Sequence, residues 1–154
     1  GTRLRRLSDR FLNDVTKVYK TLDIPFETAW FPLFYLLNNN EKLSVTEIAA
    51  ELKITHSAVS QLTAGLKEKG YIAFLNDKDD KRKRIIRLTA RGKGLLKKVT
   101  PVWNAIHAAM TELISGGKYS ASLLPALTEL EDRIEAYSIE DRILSRLAPG
   151  SEAE

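Results

Sequence analysis

Apolar residues near the start of the chain recur every three or four positions. Leu4, Leu7, Phe11, Val15, Val18 and Leu22 form one stripe, which predicts a helix over residues 2–22. A break at residues 23–25 precedes a second helical run, residues 26–37. That run is apolar nearly all round (WFPLFYLL), a pattern that implies burial on several sides. Pro32 within it marks a kink or a first turn. After a polar loop at 38–42, Val45, Ile48, Ala49 and Leu52 share one face of a short helix over residues 44–52. Ser44 and Glu47 stand three apart at its start, the spacing of a capping box. A tight turn at 53–55 leads to a helix over residues 56–69. Thr55 caps it, Val59, Leu62 and Leu66 point inward, and Gly70 stops it.

The period then changes. Residues 71–75 (YIAFL) and 83–88 (KRIIRL) read as the two strands of a hairpin, joined by the charged loop NDKDDKR. Thr89 ends the hairpin and caps the next helix, which runs after Gly92 to about residue 115. Its apolar positions include Leu95, Val99, Val102, Trp103, Ile106 and Met110, and Pro101 inside it predicts a bend. A turn at 115–118 (SGGK) separates it from a last helical region, residues 122–147. Ser138 and Asp141 resemble a second capping box there, so this region reads either as one helix or as two. The tail, residues 149–154 (PGSEAE), is linker-like.

At 154 residues the chain reads as one domain, residues 1–148, with a real core. A hydrophobic share of 44% and a charged share of 29% fit a soluble, globular protein. No membrane span or signal peptide is read, so the plain expectation is a cytoplasmic protein with no membrane partner. With no Cys, a disulfide, Cys-ligated zinc and a thiol switch are excluded within this chain. Net charge is only +4, so its distribution matters more than its sum. Between Lys78 and Arg91, seven Lys/Arg oppose two Asp.

That basic hairpin follows a helix whose outer face carries His56, Ser57, Ser60, Gln61 and Ala64. Solubility alone favours Lys and Glu on such a face. A small, hydrogen-bonding face suits close approach to base edges in a major groove. Helix, turn, helix and basic hairpin in this order make a winged helix, whose wing reaches phosphates or the minor groove. Ser44, Thr46 and Thr55, at the starts of the two helices, complete the candidate DNA contacts. The helices at the two ends carry more apolar surface than such a lobe needs. A second copy covers it best, and a two-fold dimer reads an inverted repeat. Enzymatic readings fare poorly. The two His, His56 and His107, are far apart, and no metal motif, phosphate loop, catalytic set or cofactor site is found. A winged helix used only for protein contact has no need of so many cations.

The run Asp80-Lys81-Arg82, five residues, Leu88-Thr89, two residues, Gly92 matches the wing signature D-x-R-x5-L-T-x2-G. In register with the preceding ITHSAVSQLTAGLKEKGYI, it resembles the MarR family of bacterial transcription regulators. The resemblance implies a mainly α fold: a winged helix-turn-helix DNA-binding lobe at 43–92 with a two-stranded β-wing, flanked by dimerisation helices at 2–22 and 93–147. It implies a homodimer bound to double-stranded DNA at an inverted-repeat operator. Asp80 then braces the wing, Arg82 enters the minor groove near its tip, and Lys81, Lys83 and Arg84 lie near phosphates. The family often binds a small aromatic or lipophilic anion between its dimer helices and its DNA lobe. Trp30, Phe34, Trp103 and His107 are the candidates to line such a pocket here; the plainer reading makes these aromatics core. Some relatives are fused to an acetyltransferase, so an N-terminal module of a larger protein is the alternative.

Overall fold

The computed structural model describes residues 1–76 and 83–147. By internal contacts the chain falls into two compact units, Gly1–Ile106 and the part from His107 onward. In chain order the first unit has α1 (Thr2–Thr21), a 3-10 turn (Thr28–Trp30), α2 (Phe31–Asn39), β1 (Leu43–Ser44), α3 (Val45–Glu51), α4 (His56–Glu68), β2 (Ile72–Asn76) and β3 (Arg84–Leu88). Helix α5 (Ala90–Ser115) begins in the first unit and ends in the second. The core of the first unit gathers fully buried Leu33 and Phe34 from α2, Ile48 from α3, Val59 and Leu66 from α4, Ile86 from β3 and Val99 from α5.

Local chemistry accounts for most boundaries. Ser44 and Glu47 form the expected capping box: the Glu47 N–H donates to the Ser44 hydroxyl at 3.1 Å, and the Ser44 N–H donates to the Glu47 carboxylate at 2.6 Å. Thr55 caps α4 by accepting from the Ala58 N–H at 3.2 Å. Lys53 and Gly70 take positive φ (51° and 72°) at the ends of α3 and α4, and the turn between the two helices stays short. Helix α2 starts at Phe31, five residues later than the sequence pattern implies. Pro32 has no N–H to give and fits only a first turn, so the helix is built around it. Phe26, expected inside that helix, is instead a buried loop residue. Nor is α2 buried all round, since Phe31 and Tyr35 remain exposed.

The sheet is three-stranded and antiparallel, in the order β1-β3-β2. The wing pair β2/β3 is as expected, with Ile72 opposite Leu88 and Asn76 opposite Arg84. Two-residue β1, which pairs Leu43 with Ile86, is an addition; it is too short to carry an alternating pattern.

Thr89 ties the lobe to α5. Its hydroxyl donates to the Gly70 carbonyl at 2.6 Å and accepts from the Gly92 N–H at 3.1 Å. Its own N–H donates to the Tyr71 carbonyl at 3.0 Å. Thr89 therefore caps α5, which starts at Ala90 rather than after Gly92. Gly92 packs against Tyr71 so closely that a Cβ there would overlap the Tyr71 carbonyl oxygen.

In the second unit, beyond the end of α5, a 3-10 turn (Ser120–Ser122) leads to α6 (Leu123–Ala136) and α7 (Ile139–Leu147), so the last helical region is two helices. The break is at Tyr137, which is extended (φ −152°, ψ 111°). Ser138 caps α7, accepting from the Asp141 N–H at 3.0 Å. The Arg142 guanidinium donates to the Tyr137 carbonyl at 3.0 Å and to the Arg133 carbonyl at 2.9 Å, the latter shared with the Tyr137 N–H, which ties α7 to the end of α6. The tail at 149–154 lies outside the described residues.

Two glycines of α5 make a matched pair. Gly92→Ala is expected to lower unfolding free energy by about 1–3 kcal/mol, the usual cost of forcing a methyl group into packed backbone. Nothing lies near a Cβ at Gly94, so Gly94→Ala is expected to stabilise by about 0.5–1 kcal/mol through helix propensity. Urea unfolding of both variants checks this, and equal effects would remove the close approach at Tyr71 as the reason for Gly92.

Candidate nucleic-acid interface

A groove of about 500 Å³ opens between α4 and the root of the wing. Ser44, Val45 and Thr46 border it from the start of α3, and Phe74, Lys83 and Arg84 from the wing. The side formed by α4 is His56, Ser60, Thr63, Ala64 and Lys67. These five are spaced four, three, one and three apart, which is one continuous helix face. Among the described residues none of those lining it is acidic. The groove thus joins hydrogen-bonding side chains to the cations Lys67, Lys83 and Arg84.

Six of the residues singled out from the sequence meet here: Ser44, Thr46, His56, Ser60, Lys83 and Arg84. Their chemistry is unequal. The Ser44 side chain is buried and committed to its capping box. Thr46 and His56 are exposed, and the Ser60 hydroxyl donates to the His56 carbonyl at 2.9 Å, leaving its lone pairs to face outward. Thr55, Ser57 and Gln61 do not line the groove. Thr55 is the cap of α4, while Ser57 and Gln61 are exposed one step further round that helix. Asp80, Lys81 and Arg82 lie outside the described residues.

Three lining residues were not singled out. Thr63 is buried, its hydroxyl donating to the Val59 carbonyl at 2.8 Å. Lys67 continues the His56–Ser60 face by two more turns, a spacing that was readable. Phe74 showed in the sequence only as a strand residue. In the fold the Lys67 ammonium lies 5.5 Å and the Arg84 guanidinium 5.1 Å from the centre of its ring, both within cation–π range.

The aromatic candidates separate. Phe34 is fully buried and Trp30 nearly so, both in the core with Phe26. Trp103 packs edge-on against Phe26 and Phe31, and its indole N–H donates to the Tyr19 hydroxyl at 3.0 Å. Burial raises the Tyr19 pKa, and the Trp103 bond works the other way. His107 begins the second unit and is exposed within it. A cleft of about 490 Å³ borders Trp30, Tyr71, Tyr19 and the loop before α2, with Lys20 and Lys69 among its lining. The Lys69 ammonium sits 5.7 Å from the Trp30 ring. Phe34 and Trp103 are not among the residues lining it. Among the described residues no group of His, Asp and Glu could hold a metal ion, and no helix is long and apolar enough to cross a membrane.

Residues 22–83 match a family model described as MarR family. No curated protein matches the chain. Among solved structures it is similar to BpsR of Bordetella bronchiseptica, in a study of how 6-hydroxynicotinic acid regulates DNA binding. Identity is 21%, 86% of this chain and 92% of that one are covered, and the TM-score is 0.69. It is similar to Staphylococcus aureus MepR in a DNA complex, at 22% identity over 86% of this chain and 96% of that one, with TM-score 0.71. It is also similar to a mutant of Escherichia coli MarR complexed with operator DNA, at 19% identity over 83% of this chain and 87% of that one, with TM-score 0.63. At these identities the likeness is one of fold. The matched stretch takes in the helix-turn-helix and most of the groove, and the fold is that of the MarR structures.

Proposed function

We propose that this chain is a dimeric, sequence-specific DNA-binding transcription regulator that reads an inverted repeat. The observation that carries this reading is the groove that joins the hydrogen-bonding face of α4 to the cations Lys67, Lys83 and Arg84. A phosphate backbone needs cations, and base edges need short donors and acceptors beside them. His56, Ser57, Ser60 and Gln61 are assigned to base edges, and Thr46, Lys83 and Arg84 to phosphates. By resemblance alone, Lys81 is assigned to phosphates, Arg82 to the minor groove and Asp80 to the wing. Solved relatives are bound to DNA, MepR and MarR among them, and the family is one of transcription regulators rather than enzymes. The protein acts in the cytoplasm, where the DNA is. The fusion alternative receives no support from the proteins the chain resembles.

The dimer reading rests on uncovered apolar side chains. Helix α1 exposes Leu4, Leu7, Leu12 and Val18, with Leu22 just past its end, while α6 and α7 expose Leu130, Ile134, Ile143, Leu144 and Leu147. A second copy covers these stripes. The cleft beside Trp30, with Lys20 and Lys69 on it, fits a small aromatic anion; the DNA binding of BpsR is regulated by one, 6-hydroxynicotinic acid.

Lys83→Ala is expected to weaken binding to specific and scrambled duplexes alike. It should also flatten the plot of log affinity against log salt by about one unit per half-site. Gln61→Ala should leave that slope unchanged and relax preference at one base position, at about 1–3 kcal/mol per half-site for a bidentate contact. Salt titrations of both variants are the check, and an unaltered slope in Lys83→Ala would remove the wing root from the interface.

Sedimentation at micromolar concentration should show a two-chain species. The double variant Leu4→Asp/Leu7→Asp should shift it toward one chain, and a monomeric parent protein would end the dimer reading.

Benzoate, as a simple aromatic anion, is expected to quench tryptophan emission saturably, and Lys69→Ala should weaken that response. Quenching that rises linearly without saturation would argue against a built site in the cleft.

A further inference from the structure

The hairpin beside α4 presents an ordered sequence of side chains. Phe74 on β2 pairs with Ile86 on β3, and Arg84 stands two residues before Ile86, so all three share one face of the hairpin. Ile86 is fully buried, Phe74 is half-buried and Arg84 is exposed. Phe74 therefore sits where the core ends and the groove begins. A diagonal cross-strand neighbour is within reach of a long side chain, and the Arg84 guanidinium indeed lies over the ring at 5.1 Å. Lys67 reaches the same ring from α4, at 5.5 Å.

Two cations brought to one ring repel each other, and among the described residues none that lines the groove is acidic. Among the described residues neither Lys67 nor Arg84 forms an ion pair. The ring's negative faces offset part of the repulsion, and a third party carrying negative charge in the groove would offset the rest. We propose that Phe74 is a positioning residue for DNA binding: its ring holds the Lys67 ammonium and the Arg84 guanidinium together at the root of the wing, as a clamp for one backbone phosphate. The inference rests on the reading of the groove as the DNA face. It adds a link between the recognition helix and the wing, made by a residue that itself carries no charge.

The test is a double-mutant cycle read by binding to a random-sequence duplex of about thirty base pairs at low salt, where phosphate contacts dominate. Phe74→Leu keeps an apolar side chain and removes the ring. In the parent protein it is expected to weaken binding about three- to tenfold, the scale of two cation–π contacts at a partly exposed ring. In a Lys67→Gln/Arg84→Gln background the same change should alter affinity by less than about twofold, because nothing is left to position. Phe74→Tyr, which keeps the ring, should bind like the parent. Equal loss in both backgrounds would show a purely structural role and overturn the proposal while leaving the DNA face intact. So would a loss in Phe74→Tyr as large as in Phe74→Leu, with thermal unfolding unchanged. Should Phe74→Leu fail to fold, Phe74→Met takes its place in the cycle. A parent protein that does not bind the duplex at all would overturn both this inference and the function it rests on.

Discussion

One hydroxyl holds four elements in register. The Thr89 side chain bonds to the end of α4 at Gly70 and to the first turn of α5 at Gly92, and its backbone closes on Tyr71 at the start of β2. Leu88, the last residue of β3, is buried beside it. Removing the cap would leave the Gly92 N–H without its side-chain partner and loosen the end of α4 from the hairpin. The short run Leu-Thr-x-x-Gly is thus a description of packing: a buried strand end, a cap that reaches sideways, and a residue without a side chain where two backbones touch. The groove inherits its shape from this junction, since one wall is α4 and the other is the hairpin.

Much of this was legible in the residues. Helix stripes, the Ser44–Glu47 box, the Thr55 cap and the stop at Gly70 are local signals, and the fold follows them. The separation of α6 from α7 was announced by Ser138 and Asp141 for the same reason. What was not legible is non-local. Strand β1 is two residues long and exists because Ile86 offers it a free edge. Tyr19, the buried residue of α1, lies off the stripe read from the sequence, because its partners Phe26 and Trp103 come from a loop and from α5.

The site divides along the same line. Outward polar residues of α4 could be picked out from helical spacing alone, and His56 and Ser60 do line the groove. Spacing could not show that Ser57 and Gln61, though exposed, stay outside its lining. Phe74 was invisible as a site residue, since an aromatic in a strand reads as core. Only the cross-strand register and the approach of α4 bring Lys67 and Arg84 to it. Phe34 is the opposite case: a pocket candidate by resemblance to the family, it is interior packing in the fold, as the plainer reading had it.

Tyr71 belongs to more than one neighbourhood. Its ring borders the cleft beside Trp30 and lies under the Arg91 guanidinium, while its carbonyl receives Thr89. It stands three residues before Phe74. A molecule that binds the cleft and alters this residue therefore acts on the anchor of the hairpin that walls the groove. Thermodynamic linkage makes such an action mutual: whatever factor the small molecule takes from affinity for DNA, DNA takes from affinity for the small molecule. The occupancy of the cleft would then depend on how much free operator is present, as well as on the concentration of the compound.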